Sequence, residues 1–151
     1  MMDMCKKANT NEDEERIKKI GLVGIENQPK MFALAASNMI LRGDGKANLY
    51  QGSCFDKKIV SKVKKHRPSV GMINPPYAQK GEGLHELNFI DQMLECLIDG
   101  GTGIAIVPMS CAIQAHPMKD ILLKKHTLIA VMSMPNDLFR PVGCVPCIMV
   151  F

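Results

Sequence analysis

The densest chemistry in this chain lies in four consecutive residues, Asn74, Pro75, Pro76 and Tyr77. Proline has no N–H to give to a strand ladder and restricts the residue before it, so a strand over Val70–Ile73 must stop at Asn74. Pro75 then offers a fixed carbonyl beside the Asn74 amide oxygen, two acceptors aimed the same way, and Tyr77 adds a flat face close by. Two acceptors and a stacking platform suit an exocyclic amino group on a planar base. The plainer alternative is a proline corner with a packed tyrosine, and the four residues alone leave both open.

Other candidates carry less. Glu26 closes a short apolar run, where an acid can hold ribose hydroxyls or simply be exposed. Gly52, Ser53 and Cys54 form a turn after a second short strand. His66, His85, His116 and His126 stand at unrelated spacings, and only Cys144 and Cys147 have ligand-like spacing, with no second pair to complete a site. No metal is expected, and Cys144-Val145-Pro146-Cys147 reads as two small residues entering a strand. The basic stretch from Lys57 to Arg67 reads as a solvated helix face, with contact to phosphates as the sharper alternative.

The elements that must position these residues alternate. Asn11–Ile20 reads as the end of a helix, with acids early and bases late, and Gly21–Glu26 as a strand. Pro29 fits a helix start. Phe32, Ala35, Ala36, Met39 and Ile40 recur at helical spacing until Arg42, where Gly43-Asp44-Gly45 stops the helix. Asn48–Gln51 and Val70–Ile73 are strands around a basic amphipathic stretch, Lys57–Lys65, and Gln79–Gly83 is a polar loop. Leu87, Ile90, Met93, Leu94, Leu97 and Ile98 predict one apolar helical face ending at Gly100-Gly101. Gly103–Val107, Leu128–Met132 and Cys147–Phe151 predict strands, and Met118–Lys125 a short helix. Such alternation implies an α/β fold with a mostly parallel sheet covered on both faces.

Composition agrees with one domain. The chain has 151 residues, 46% hydrophobic and 23% charged, which excludes wholesale disorder. No apolar run approaches the roughly 20 residues that span a bilayer, and the polar opening residues do not form a signal peptide. Six scattered cysteines without such a peptide point to the cytoplasm. The formal charge of +4 permits a polyanionic partner without demanding one. No repeat or second domain is evident, so residues 1–151 read as a single unit with 1–16 as a helix remnant or tail.

Taken in order, these residues resemble the catalytic domain of N6-adenine DNA methyltransferases, especially modification subunits of type I restriction systems. Asn74-Pro75-Pro76-Tyr77 matches the catalytic motif of that family. Gly24-Ile25-Glu26, Phe32-Ala33-Leu34-Ala35 and Asn38-Met39-Ile40-Leu41-Arg42-Gly43 look like its second strand and following helix. His85-Glu86, Phe89-Ile90 and Gly101 to Pro108 look like the next helix and strand. The resemblance covers about residues 17–151. It implies a Rossmann-like S-adenosylmethionine-dependent methyltransferase fold and transfer of a methyl group to adenine N6 in DNA. By resemblance Glu26 binds the cofactor ribose, and Ser53, Cys54 and Asn74 are further cofactor-facing positions. Asn74 and Pro75 accept the target amino group, and Tyr77 stacks on the base once it has been flipped from the duplex. The implied partners are double-stranded DNA and the specificity and restriction subunits of a type I complex, with no membrane.

Two departures accompany the resemblance. Ser53 stands where the family usually has an aspartate, so its hydrogen bond to the cofactor is weaker and uncharged. The family's first strand and glycine-rich turn have no counterpart before residue 17, so the chain reads as a fragment starting inside the domain and inactive alone. The second reading is therefore a degenerate or truncated domain that binds partner subunits or DNA without catalysis. A nucleotide-binding oxidoreductase fails because no glycine fingerprint follows a strand.

Overall fold

Thr10 opens the first helix of the described chain: its Oγ1 accepts the Asp13 backbone N–H at 3.1 Å. Glu12, Asp13 and Glu14 lie in the first turn, with Lys18 and Lys19 in the last, as the helix dipole favours. Helix α1, Asn11–Ile20, therefore starts at its own cap and is not the tail of a longer helix. The computed structural model describes residues 8–41, 43, 48–77, 84–135 and 145–151. The chain divides into two compact units, Met1–Arg67 and Pro68–Phe151.

In the first unit α1 is followed by β1 (Val23–Glu26), α2 (Pro29–Leu41), β2 (Asn48–Gln51) and α3 (Lys57–Lys65). Strands β1 and β2 pair in parallel, from Val23 opposite Asn48 to Glu26 opposite Gln51. A parallel pair needs a crossover, and α2 supplies it. Phe32, Ala35, Ala36 and Met39 form its half-buried face, whereas Ile40, expected on that face, is 65% exposed. Gly43 turns the chain at φ +79°, its N–H donating to Ile40 O at 3.0 Å. Helix α3 has the bounds expected of it. Asp56 caps it by accepting the Lys58 N–H at 2.7 Å, and Val63 is buried while all five lysines are exposed.

The second unit holds β3 (Val70–Ile73), α4 (Glu86–Leu94), β4 (Thr102–Pro108), α5 (Met109–Ile113), α6 (Pro117–Lys125), β5 (Ala130–Ser133) and β6 (Pro146–Val150). Strand order is β3-β4-β6-β5. Strand β3 is parallel to β4, while β6 runs antiparallel to both β4 and β5. Three of these four strands thus share one direction, and the mostly parallel expectation misses only β6, inserted in reverse.

Leu87, Ile90 and Leu94 of α4 and Leu122 of α6 bury against Ala105, Val107, Cys147 and Met149. Two glycines let α4 approach this closely. A Cβ on Gly71 would stand 2.9 Å from Met93 Cγ, and one on Gly103 would collide with Leu94. The opposite face is not covered as expected, since Val70 is 57% and Met72 76% exposed. Helix α4 also ends earlier than the apolar spacing implied. Leu97 N–H bonds to Leu94 O in a tighter turn, and Ile98 N–H is taken by Pro68 O at 3.0 Å, so the chain leaves the helix after Leu94. Leu97 still packs on the core.

Among the described residues, β1 pairs with β2 alone and β3 with β4 alone, so each keeps one edge outside any ladder. No helix among them is long and apolar enough to cross a membrane.

Candidate functional site

The parallel pairing of the first unit brings three expected site residues together. Glu26 and Gln51 end their strands side by side, and the Gly52 N–H donates to Glu26 O at 3.0 Å. Ser53 and Cys54 follow directly. The Glu26 side chain is anchored, because its Oε1 accepts the Gln28 backbone N–H at 2.7 Å. A carboxylate has about four lone-pair sites, so most of its acceptor capacity remains for a ligand beyond the strand end. Ser53 Oγ accepts the Phe55 N–H at 3.2 Å, which fixes the turn ahead of α3.

Gly52 makes this turn possible. Its φ of +142° is one that L side chains rarely adopt, and a Cβ there would collide with Ile59 Cδ1. Gly52→Ala is expected to lower stability by about 1–2 kcal/mol through backbone strain, read as a reduced denaturation midpoint. An unchanged midpoint would show that the turn adapts.

In the second unit β3 stops at Ile73 and the four-residue motif follows at once, as the two prolines require. Asn74 and Pro76 are exposed, Pro75 is buried, and Tyr77 is half-buried with its hydroxyl inside. Asn74 thus leads out from the carboxyl end of a strand with a side chain open to a ligand. Gln79–Gly83 and Cys144 lie outside the described residues.

A stacked histidine pair in the second unit escaped the sequence reading. His85 caps α4, its Nδ1 accepting the Leu87 N–H at 3.2 Å. His116 caps α6, its Nδ1 accepting the Met118 N–H at 3.1 Å. The two rings stack at 3.9 Å between centroids and 20° between planes. Histidine is not among the favoured cap residues, so spacing alone does not flag the pair. Glu86, 6% exposed, places Oε2 3.8 Å from His85 Nδ1. That nitrogen accepts a hydrogen bond and so carries no proton, which means the contact is not an ion pair.

Burial chiefly, and the neighbouring His116 secondarily, push the His85 pKa below its ordinary 6.5, against an opposing pull from Glu86. The unfolded chain therefore binds this proton more readily, and stability rises with pH until 6.5 is passed. Acidification below about 6.5 is expected to lower the denaturation midpoint. His85→Asn, which keeps a capping side chain, should flatten part of that fall, and identical pH profiles would refute the role given to His85.

The other titratable clusters have structural occupants. Cys111 is buried and its thiol pushed up to about 12, first by burial and then by the Glu86 charge, so it stays protonated at neutral pH. Asp91, Glu95 and His126 gather within 4.8 Å. Lys125 Nζ already stands 3.2 Å from both carboxylates and supplies the positive charge there.

The fold is that of S-adenosylmethionine-dependent methyltransferases. The EcoKI M protein of a type I restriction enzyme superposes with a TM-score of 0.75 at 19% identity, over 94% of this chain and 33% of that one. SMU.776, solved in complex with SAH, matches at a TM-score of 0.51 and 17% identity, over 85% and 38% of the two chains. The family model for N-6 DNA methylase matches residues 2–151, and the chain belongs to that family. The match also takes in the first residues, which the sequence resemblance left out. The type II restriction enzyme and methyltransferase RM.BcgI of Heyndrickxia coagulans is 43% identical over 152 residues, covering 93% of this chain. The chain spans 23% of that relative's length and about a third of the EcoKI M protein.

Proposed function

We propose that this chain is the catalytic part of a DNA methyltransferase that moves a methyl group from S-adenosylmethionine to adenine N6 within a restriction-modification system. The observation that carries the reading is Asn74-Pro75-Pro76-Tyr77, standing at the carboxyl end of β3 with Asn74 exposed, in a member of the N-6 DNA methylase family. Residues 1–151 are read as part of one methyltransferase domain, which the unbroken family match supports.

The residues available fit the cofactor. A ribose presents two hydroxyl donors, and Glu26 offers a half-buried carboxylate, oriented by the Gln28 N–H, at a strand end. Ser53 and Cys54 adjoin it and are assigned to the adenine end. When bound, S-adenosylmethionine supplies an electrophilic methyl on a sulfonium. Asn74 and Pro75 act on the acceptor side. An adenine amino lone pair is delocalised into the ring, and accepting its two hydrogens at the Asn74 amide oxygen and the Pro75 carbonyl favours a pyramidal nitrogen. The lone pair would then be available to the methyl group the cofactor supplies, and the proton the amino nitrogen loses as the new N–C bond forms would pass to solvent water at the exposed Asn74 corner. Pro76 keeps the corner rigid and Tyr77 stacks on the flipped base. Catalysis is orientation and electrostatics, with no strong base required.

Double-stranded DNA, specificity and restriction subunits, and a cytoplasmic setting complete the reading. The test is to incubate the complete protein with labelled S-adenosylmethionine and duplex DNA and analyse the nucleosides. N6-methyladenine is the expected product. Methylation of another atom, or none in the fully assembled enzyme, would refute the reading.

A further inference from the structure

The positive charge of this chain is concentrated in one short segment. Asp56–Arg67 contains six of the nineteen cations and one of the fifteen acids, so it carries +5 while the remaining residues together carry −1. The segment is helix α3 with its cap and exit. Its single acid, Asp56, is exposed and engaged as the N-cap, accepting the Lys58 N–H.

The helix sorts its residues by side. Ile59, Val60 and Val63 are half-buried or buried, while Lys57, Lys58, Ser61, Lys62, Lys64 and Lys65 are all exposed. At about 100° per residue the exposed six cover nearly half the helix circumference. Lys57, Ser61, Lys64 and Lys65 border one open surface depression, with Val60 at its edge. Lys62 Nζ lies 5.5 Å from the centre of the Tyr50 ring, and Tyr50 in turn meets His66 Nε2 through its hydroxyl at 3.1 Å. These contacts hold the helix end while leaving the lysine row outward.

From this placement we infer that the exposed lysine face of α3 is a docking surface for the phosphate backbone of duplex DNA, contacting it without reading sequence. The inference rests on the DNA methyltransferase reading for the identity of the polyanion. Over the length of α3, about 13 Å, duplex DNA carries roughly eight phosphate charges, a density that an array of exposed lysines matches. The exposed face contains no aromatic side chain, so it lacks the stacking platform of single-strand or base readers. Its apolar residues point inward, so α3 has no second apolar face to bury in a lipid surface.

The experiment measures binding of the 151-residue chain to a short labelled duplex of arbitrary sequence across a salt series. Each phosphate contact contributes about 0.9 to the slope of log affinity against log salt. The variant Lys57→Gln/Lys64→Gln/Lys65→Gln is expected to lower that slope by about 2–3 and to weaken binding on the order of 100-fold near 0.1 M salt. Arginine at the same three positions should retain both, which separates lost charge from a damaged fold. Lys19→Gln/Lys30→Gln/Lys124→Gln removes equal charge from exposed positions elsewhere and should leave the slope unchanged.

An equal loss in the two glutamine variants would overturn the inference, as would equally tight binding to polyglutamate or to phosphatidylserine vesicles. A slope unaffected by the α3 variant, in a protein that still makes N6-methyladenine, refutes this surface and leaves the proposed activity standing. A slope lowered as expected, with no N6-methyladenine formed by the assembled enzyme, upholds the surface and removes the activity.

Discussion

Replacing Asn74 with alanine in the complete enzyme is expected to slow methyl transfer by about 10²–10³-fold while leaving affinity for S-adenosylmethionine within a few-fold of wild type. The side chain projects from the carboxyl end of β3 and is exposed, so its removal leaves no core cavity and no buried partner unsatisfied. On the reading proposed above, the missing acceptor is one that acts as the amino nitrogen becomes pyramidal. Loss of one positioned polar group acting at that stage costs about 10²–10³-fold in turnover, and the loss belongs in kcat more than in KM. Single-turnover methylation together with calorimetric titration of the cofactor checks both halves. Near wild-type turnover would remove Asn74 from catalysis, whereas parallel loss of cofactor binding would make it a cofactor residue instead.

The 151-residue chain by itself is expected to hold S-adenosylmethionine no more tightly than about millimolar, a free energy of roughly 4 kcal/mol. The first unit offers the Glu26 carboxylate, worth about 1.5–3 kcal/mol as a charged hydrogen-bonding group, and the Ser53 hydroxyl at about 0.5–1.5 kcal/mol. Among the described residues no glycine-rich turn follows a strand ahead of α1 to cradle the methionine end. Among the described residues, β1 keeps an edge outside any ladder, and an unpaired edge gives the cofactor side of the first unit little support. Calorimetric titration is the measurement. Micromolar binding would mean that another segment of these 151 residues replaces the missing turn.

Residue type and spacing alone delimited much of this fold. The basic amphipathic spacing from Lys57 to Lys65 marked α3. The two prolines after Ile73 stopped β3 where it stops, because the signal is local: a missing N–H ends a ladder wherever it falls. The same holds for Pro29 at the start of α2 and for Glu26 at the end of β1. The corner holding Asn74, Pro75 and Tyr77 could be placed from sequence because the prolines that form it are adjacent residues.

Direction and neighbourhood were decided only by the tertiary structure. A wholly apolar strand such as Pro146–Val150 reads the same whichever way it runs, so its reversed insertion between β4 and β5 had no local mark. Helix α4 stops at Leu94 although its apolar spacing continues to Ile98, because Pro68 O, thirty residues earlier, captures the Ile98 N–H. The stacking of His85 on His116 depends on two helix starts, thirty-one residues apart, arriving side by side. Local propensity and side-chain chemistry are properties of a residue and its near neighbours, and the sequence by itself determines them. Strand direction, helix termination by a distant carbonyl and contacts between capping residues are properties of the packed chain, which exist only once the sheet and its helices have assembled.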